Sequence, residues 1–251
     1  MARKTRIADA FAAQAQAYDS VANVQREVAR RLAARIQARL PSPPRRILEI
    51  GCGTGLLSEA LAAAFPNSAL LLTDLAPAML ARCEARLGAR AEYLVLDGED
   101  PVQATGPFDL IASSLAIQWF TNLGCGLERL SHLLAPGGSL FFATLGRETF
   151  TEWRAAHAAL GLPCGVPLYP AAQDFPWPNC VSHRMDEERI PEPHANGHAF
   201  VRSLKTLGAG QPAPDYAPHN PGNFRKLLQN FSSEFSVTYH ILYGEAQNRA
   251  T

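Results

Sequence analysis

Apolar residues recur every four positions at Val24, Val28, Leu32, Ile36 and Leu40, with arginine and glutamine between them. That spacing makes one stripe of an amphipathic helix. Pro41, Pro43 and Pro44 end it, since proline lacks the amide N–H and clashes with the preceding turn. Short apolar runs and helical stretches then alternate. Arg46–Ile50 is predicted as a buried strand, Leu56–Phe65 as a helix and Ala69–Asp74 as a second strand. Pro77–Leu87 opens on proline and stops at Gly88, the asymmetry expected of a helix. Ala91–Leu96 and Phe108–Ser113 supply two more strands, Leu127–Leu134 a helix stopped by Pro136-Gly137-Gly138, and Ser139–Leu145 a fifth strand. Strands alternating with helices imply parallel βαβ units and a doubly wound α/β sheet.

After Gly146 the rhythm breaks. Glu148–Leu160 has a helical pattern, but Pro163–Pro178 is rich in proline and carries Tyr169, Phe175 and Trp177. A long irregular insertion in a compact domain is more often functional than filler, so a lid is expected over about residues 148–182, after the fifth strand. A strand near His183–Ile190, a helix over Ala199–Leu207, a proline-rich loop at 210–222, a helix near Phe224–Phe231 and a closing strand over Glu234–Ala246 complete the chain. No internal repeat and no linker signal divides it. One domain over 1–251 is expected, with an N-terminal helical segment at 1–40.

Composition narrows the function classes. The 251 residues are 47% hydrophobic, enough for a full core. Lys plus Arg (23) equals Asp plus Glu (23), so no global field draws nucleic acid or an anionic membrane. The cysteines at 52, 83, 125, 164 and 180 are odd in number and contain no CxxC, which points to neither a disulfide framework nor a zinc site. Reduced thiols suit a cytoplasmic protein. No apolar run approaches the ~20 residues that span a bilayer. Arg3, Lys4 and Arg6 before an alanine-rich stretch are similar to an organellar transit peptide, although Asp9 and Asp19 are acidic.

The sharpest chemical signal is Glu49-Ile-Gly51-Cys-Gly53-Thr-Gly55, between a strand and a helix. Small residues there let the backbone turn tightly and approach a ligand, at the carboxyl ends of strands where such sheets bind ligands. A dinucleotide fingerprint needs G-x-G-x-x-G. Counting from Gly51 the sixth position is Leu56, and counting from Gly53 it is Ser58, so that pattern fails. E-x-G-x-G-x-G is instead the form of S-adenosylmethionine enzymes. Asp74 closes the second strand, where a carboxylate can accept ribose hydroxyls or cap a helix. Asp97-Gly98-Glu99 follows the third strand, where it could meet an adenine amino group or simply make an Asp-Gly turn.

These residues resemble the class I methyltransferase family, as does Pro136-Gly137-Gly138 before the fifth strand. Further segments narrow the resemblance: Phe11–Asp19 with Val24-Gln25-Arg26, Ser113–Trp119 with Gln118-Trp119, Thr144-Leu145-Gly146, Arg202–Lys205 with Gly208-Ala209, and Leu242-Tyr243-Gly244. They are similar to the malonyl-acyl-carrier-protein O-methyltransferase family of biotin synthesis. The matches run from Phe11 to Gly244, while Pro163–Pro191 follows no family pattern and the loop Gly210–Gly222 is unusually rich in proline.

The resemblance implies a Rossmann-like, seven-stranded, mostly parallel sheet with helices on both faces. It also implies methyl transfer from S-adenosylmethionine to the free carboxylate of a malonyl thioester, carried by acyl carrier protein or coenzyme A. No metal, nucleic acid or membrane enters this picture. Tyr18, Glu49, Gly51, Gly53, Asp74, Asp97, Gly98 and Ser113 are the expected cofactor contacts. Tyr18, Gln118 and Trp119 are the expected catalytic residues. Arg147, Arg202 and Lys205 are candidates to hold the acceptor carboxylate, because an arginine fork suits it; Arg202 is favoured as a buried anchor and Lys205 as a docking charge. Other acceptors, a free dicarboxylic acid or a quinone, stay open, as does a binding module without transfer. Replacing Asp74 by Ala should weaken donor binding by ~1–3 kcal/mol, the cost of buried hydroxyls losing a charged acceptor; titration calorimetry with the methyl donor checks this.

Overall fold

Each parallel strand is short, apolar and bracketed by turn residues, and the chain reverses over it through a helix. A computed structural model describes residues 2–178, 181–213 and 216–249; Cys180 and part of the 210–222 loop lie outside the described residues. The elements run α1 (Ala2–Gln14), α2 (Asn23–Arg39), β1 (Arg46–Ile50), α3 (Leu56–Ala64), β2 (Ala69–Asp74), α4 (Pro77–Leu87), β3 (Glu92–Val95) and β4 (Phe108–Ser114). They continue through α5 (Leu123–Ser131), β5 (Leu134–Leu145), α6 (Thr151–Ala159), β6 (Val181–His194), α7 (Gly197–Thr206), α8 (Pro221–Gln229) and β7 (Phe235–Asn248). Short 3-10 turns include Tyr18–Ser20 and Ile117–Trp119.

The seven strands form one sheet in the order β3-β2-β1-β4-β5-β7-β6. The pairings from β3 through β5 are parallel, and β7 runs antiparallel to both β5 and β6. The sheet order reverses between β1 and β4, so the loops after these two strands diverge and leave a crevice.

Alternation along the strands splits the core into two layers. Ile47, Leu110, Ala112, Phe141, Ala143, Tyr239 and Ile241 face one side, against α2, α3, α7 and α8. Leu48, Ile50, Ile111, Leu140, Phe142 and Leu242 face the other, against α5. The α2 stripe expected from the sequence is buried at Val24, Val28, Leu32 and Ile36. Its neighbouring row of arginines covers the outer strands. Arg31 and Arg35 pair with Glu188 at 2.8 and 2.7 Å, and Arg39 pairs with Asp186 and with Glu245. Charged side chains along an edge strand such as β6 discourage pairing with another chain.

Two expectations change. The helix placed at Leu127–Leu134 is α5, Leu123–Ser131, and Leu134 already belongs to β5. Asn122 caps it by accepting a hydrogen bond from Cys125 N at 3.0 Å, but Gly124 and Gly126 disguise its first turn because glycine is a poor helix former. Pro136-Gly137-Gly138 lies within β5 at a register shift opposite Phe108 and Leu110, not at the end of a helix.

The segment expected as a lid distributes its aromatic residues differently. Trp153 of α6 packs on Phe200 and Phe231, while Phe175 and Trp177 lie on Phe142 in the other layer. These rings are core satellites. The crevice beside β1 is instead roofed by α1.

Gly244, in the middle of β7, sits under the Phe142 ring, where a Cβ would come within 2.0 Å of Cζ. Gly244→Ala should therefore destabilise the fold by about 1–3 kcal/mol through overpacking. Thermal or urea unfolding should register the loss, with donor affinity in the folded fraction unchanged.

Candidate active site

The glycine loop is held from below by backbone and from the side by a carboxylate. Cys52 N donates to Thr73 O at 2.8 Å. Asp74 accepts from Gly53 N at 2.9 Å and from Ala76 N at 2.8 Å, tying the loop after β1 to the start of α4. Gly51 has φ +69°, and a Cβ there would lie 2.3 Å from Ala116 Cβ, whereas Gly53 at φ +56° has nothing within 4 Å of that position. The first glycine thus lets the loop after β4 pack close. The second leaves open space for a ligand.

The N-terminal segment is pinned onto this loop. The Asp19 carboxylate accepts from Thr54 Oγ1 at 2.6 Å and from Arg86 Nη2 at 2.5 Å. Tyr18 is thereby placed against the cleft, and α1 lies across it. A cleft of about 980 Å³, including its open mouth, is lined by Glu49, Gly51, Gly53, Asp74, Asp97 and Gly98 below and by Lys4, Ile7, Ala8, Phe11 and Tyr18 above. Lys4 bridges Asp97 at 2.5 Å and Glu99 at 2.7 Å. Against the pull of burial, Lys4 and the amides of Thr121 and Asn122 hold Glu99 below the usual carboxylate range. Arg3 donates to Trp119 O at 3.0 Å.

Electrostatics mark the floor as a ligand site. Burial pushes Glu49 up to about 8, and its Oε2 is buried with no hydrogen-bond partner. Asp74 is raised by burial, against three backbone N–H groups that lower it. A ligand with an ammonium group would satisfy the Glu49 oxygen, and one with ribose hydroxyls would reach Asp74. The residues present thus fit the amino-acid and ribose parts of S-adenosylmethionine.

A second cavity adjoins the first. Its lining comprises Gln118, Leu145, Phe150, Tyr169, Leu204, Leu207, Ala209 and Tyr239, together with Phe11, Tyr18, Gln25, Leu115 and Trp119, which also line the cleft. Of the expected catalytic residues, Tyr18 and Trp119 face both cavities and Gln118 the second. Gln118 is engaged by Leu115 O at 2.7 Å and by Thr144 Oγ1 at 3.4 Å.

Four expected contacts fall elsewhere. Ser113 is fully buried and donates to Ile50 O at 2.9 Å; its neighbour Ser114 lines the cleft instead. Arg147 pairs with Asp174 at 2.7 Å, with both side chains more than half exposed. Arg202 and Lys205 are exposed, and neither lines a cavity, because α7 turns Phe200, Leu204 and Leu207 inward. Sequence reasoning missed Lys4 and Gln25. The signal for the roof was the spacing of Lys4, Ile7, Ala8 and Phe11 along one helix face; Gln25 stood only in the Val24-Gln25-Arg26 resemblance, without a site role.

Residues 47–138 match the family model described as a methyltransferase domain. Among solved structures, the chain superposes on the plantazolicin methyltransferase BpumL in complex with a monoazolic desmethylPZN analog and SAH, with TM-score 0.57 and 15% identity over 98% of this chain and 96% of that one. It also superposes on a putative methyltransferase from Bacillus halodurans, with TM-score 0.56 and 15% identity over 87% and 98%. Sheet order, glycine loop and strand-end carboxylates together define a class I S-adenosylmethionine-dependent methyltransferase.

Sequence relatives narrow the class. The chain is 43% identical to a malonyl-[acyl-carrier protein] O-methyltransferase of Magnetococcus marinus over 90% of this chain and 87% of that protein. It is 33% identical to one from Halorhodospira halophila over 94% and 85%. It is also 45% identical to the biotin biosynthesis bifunctional protein BioCD of Bordetella avium, covering 95% of this chain but spanning about half (51%) of that longer protein. The chain belongs to the malonyl-[acyl-carrier protein] O-methyltransferase family.

Glu49 predicts a proton signature for donor binding. The free protein keeps Glu49 protonated up to about pH 8, and a ligand ammonium favours its ionised form. Binding near pH 7 should therefore release a proton, and affinity should climb with pH below 8. Calorimetry in buffers of different ionisation enthalpy should show this release in the wild type and its loss in Glu49→Gln.

Proposed function

We propose that this protein methylates the free carboxylate of a malonyl thioester carried by acyl carrier protein, giving a malonyl methyl ester for biotin synthesis. The observation that carries the reading is the second cavity, which shares Phe11, Tyr18, Gln25, Leu115 and Trp119 with the donor cleft. An acceptor seated there lies beside the donor, with these shared residues around the reacting ends. The names of the curated relatives support the choice of acceptor.

Such a reaction asks mainly for placement. S-adenosylmethionine supplies a methyl carbon on a sulfonium, so its transfer to a carboxylate oxygen cancels one positive and one negative charge and moves no proton. The acceptor carboxylate, with a reference pKa of ~4, is already ionised at pH 7 and needs no general base. Asp74, the glycine loop and Glu49 hold the donor. Tyr18 and Trp119 flank the boundary between the cavities, and a tyrosine face attracts a cation. The roof helix narrows the cleft, and expulsion of water from it on ligand binding would strengthen every charge interaction inside. Holding the reacting atoms ~3–3.5 Å apart supplies most of the remaining gain. The scheme calls on no metal, because the donor carbon is already electrophilic and the acceptor oxygen already ionised.

The exposed cations of α7 fit the docking of an acidic carrier. Arg202 and Lys205 stand on the outer face of the helix whose Leu204 and Leu207 wall the second cavity, so they can meet the carrier while its arm reaches inward. A cytoplasmic location suits the free thiols of Cys52, Cys83, Cys125 and Cys164; among the described residues no helix is long and apolar enough to cross a membrane.

A methyl-transfer assay comparing malonyl-carrier protein, malonyl-coenzyme A and free dicarboxylates tests the acceptor. Malonyl thioesters should be used, and turnover of a quinone or free dicarboxylate far exceeding theirs would discard the reading. The double substitution Arg202→Ala with Lys205→Ala should lower kcat/KM for the carrier substrate about three- to tenfold at low salt, should matter little at high salt, and should leave kcat intact.

A further inference from the structure

We propose that the second cavity receives the acceptor carboxylate through neutral phenol donors, Tyr239 foremost with Tyr18 and Tyr169, and that the only cation to contact the anion there is the bound methyl donor. The inference rests on the acceptor reading above and deepens it.

Among the described residues, no lysine, arginine, histidine, aspartate or glutamate lines this cavity. The cations that act on Tyr169 from nearby are Arg154 and Arg3, and both are committed to backbone carbonyls. Arg154 donates to Thr149 O, Val166 O and Pro167 O at 3.0, 3.3 and 2.6 Å, and Arg3 to Trp119 O. The polar atoms left to a ligand are phenols and amides. Gln118 is engaged within the protein, as described. Tyr239 is 3% exposed, and its Oη has no partner at hydrogen-bonding distance, although the Glu192 carboxylate lies near enough to act on it. A buried polar atom without a partner costs stability, so its persistence in a cavity wall points to a ligand that uses it.

The phenols are fixed as donors. Burial, followed by the Asp74 and Asp19 carboxylates, holds Tyr18 protonated far above neutral pH. Burial lifts Tyr169 to about 12. Burial and then the Glu192 carboxylate raise Tyr239; Glu192 itself is paired with His194 at 3.1 Å, outside the cavity lining. A phenol O–H satisfies one carboxylate oxygen and leaves the other free to react, without the full charge neutralisation that a guanidinium fork would bring.

An order of events follows. An anion entering a dry site without a fixed countercharge is unfavourable, so it should bind well only after the cationic donor is in place. Transfer then removes both charges at once, and the neutral ester loses the attraction that held its precursor. The apolar wall of Leu145, Phe150, Leu204 and Leu207 accommodates the uncharged remainder of the acyl arm.

The test has two arms, run after wild-type transfer to malonyl-coenzyme A or malonyl-carrier protein has been measured; absence of that transfer would overturn the acceptor reading itself. In the first, Tyr239→Phe and Tyr169→Phe should each raise the acceptor KM about ten- to a hundredfold, the range for one hydrogen bond to a charged group. Donor Kd should stay within about twofold and the unfolding midpoint near that of the wild type. Acceptor KM values like the wild type's in both variants would overturn the proposal. In the second arm, malonyl-coenzyme A is titrated onto wild-type protein loaded with the demethylated product or with a non-transferable donor analogue carrying an ammonium in place of the sulfonium. Binding at least about tenfold tighter with the cationic analogue is expected. Equal affinity for the two loaded forms would mean that a protein cation holds the carboxylate, and the proposal would fall.

Discussion

Asp74 braces the glycine loop after β1 against the loop that enters α4, adding to the backbone bond from Cys52 N to Thr73 O. Its carboxylate takes the amide of Gly53 with one oxygen and that of Ala76 with the other, closing the crevice floor between β1 and α4. Burial alone would strip its charge, and the backbone donors oppose that pull. The same group can reach a ligand's ribose, so the brace that shapes the glycine loop also faces the cleft. With the loop fixed, Thr54 presents its hydroxyl to Asp19, and Asp19 in turn takes Arg86 of α4. The roof over the cleft is therefore attached to the floor through one short chain of charged hydrogen bonds, which are stronger than neutral ones.

That chain explains why the N-terminal segment, not the insertion after β5, covers the donor. Helix α1 contributes Lys4, Ile7, Ala8 and Phe11 to the cleft, and Lys4 closes its far end on Asp97 and Glu99. The insertion is anchored instead by its own aromatic rings, which pack on both layers of the sheet. Trp153 and Phe175 of that segment are held in core contacts. Among its described residues, Phe150 and Tyr169 are the ones that line the second cavity.

The parallel half of the sheet was legible in the sequence because prolines and glycines bracket it. β1, β2 and α4 begin and end where those residues place them. The helix α5 was not, since glycines in its first turn hide a cap that depends on Asn122. Of the cofactor contacts, Glu49, Gly51, Gly53, Asp74, Asp97 and Gly98 line the cleft together, as their positions at successive strand ends implied. Ser113 does not, because alternation along β4 turns its hydroxyl to Ile50 and gives the cleft to Ser114. The acceptor side was opaque for a different reason. A search for an arginine partner to a carboxylate selects charged residues, and on α7 these occupy the face opposite Phe200, Leu204 and Leu207.

Charge placement separates the two cavities more sharply than shape does. The donor cleft gathers acidic groups, Glu49, Asp74 and Asp97, which would attract a ligand bearing an ammonium and a sulfonium. The second cavity is lined with phenols, amides and apolar side chains and carries no formal charge of its own among the described residues. A fixed cation there would hold an anionic acceptor in its ground state and would compete with the donor's positive charge for the same oxygen. Interactions equal in ground and transition states tighten binding without raising the rate of the chemical step. Leaving the cation to the donor makes the attraction strongest when both reactants are present, and removes it once the methyl group has moved. Tyr18 and Trp119, which face both cavities, stand where the two charge environments meet, so their rings border the path along which charge is lost.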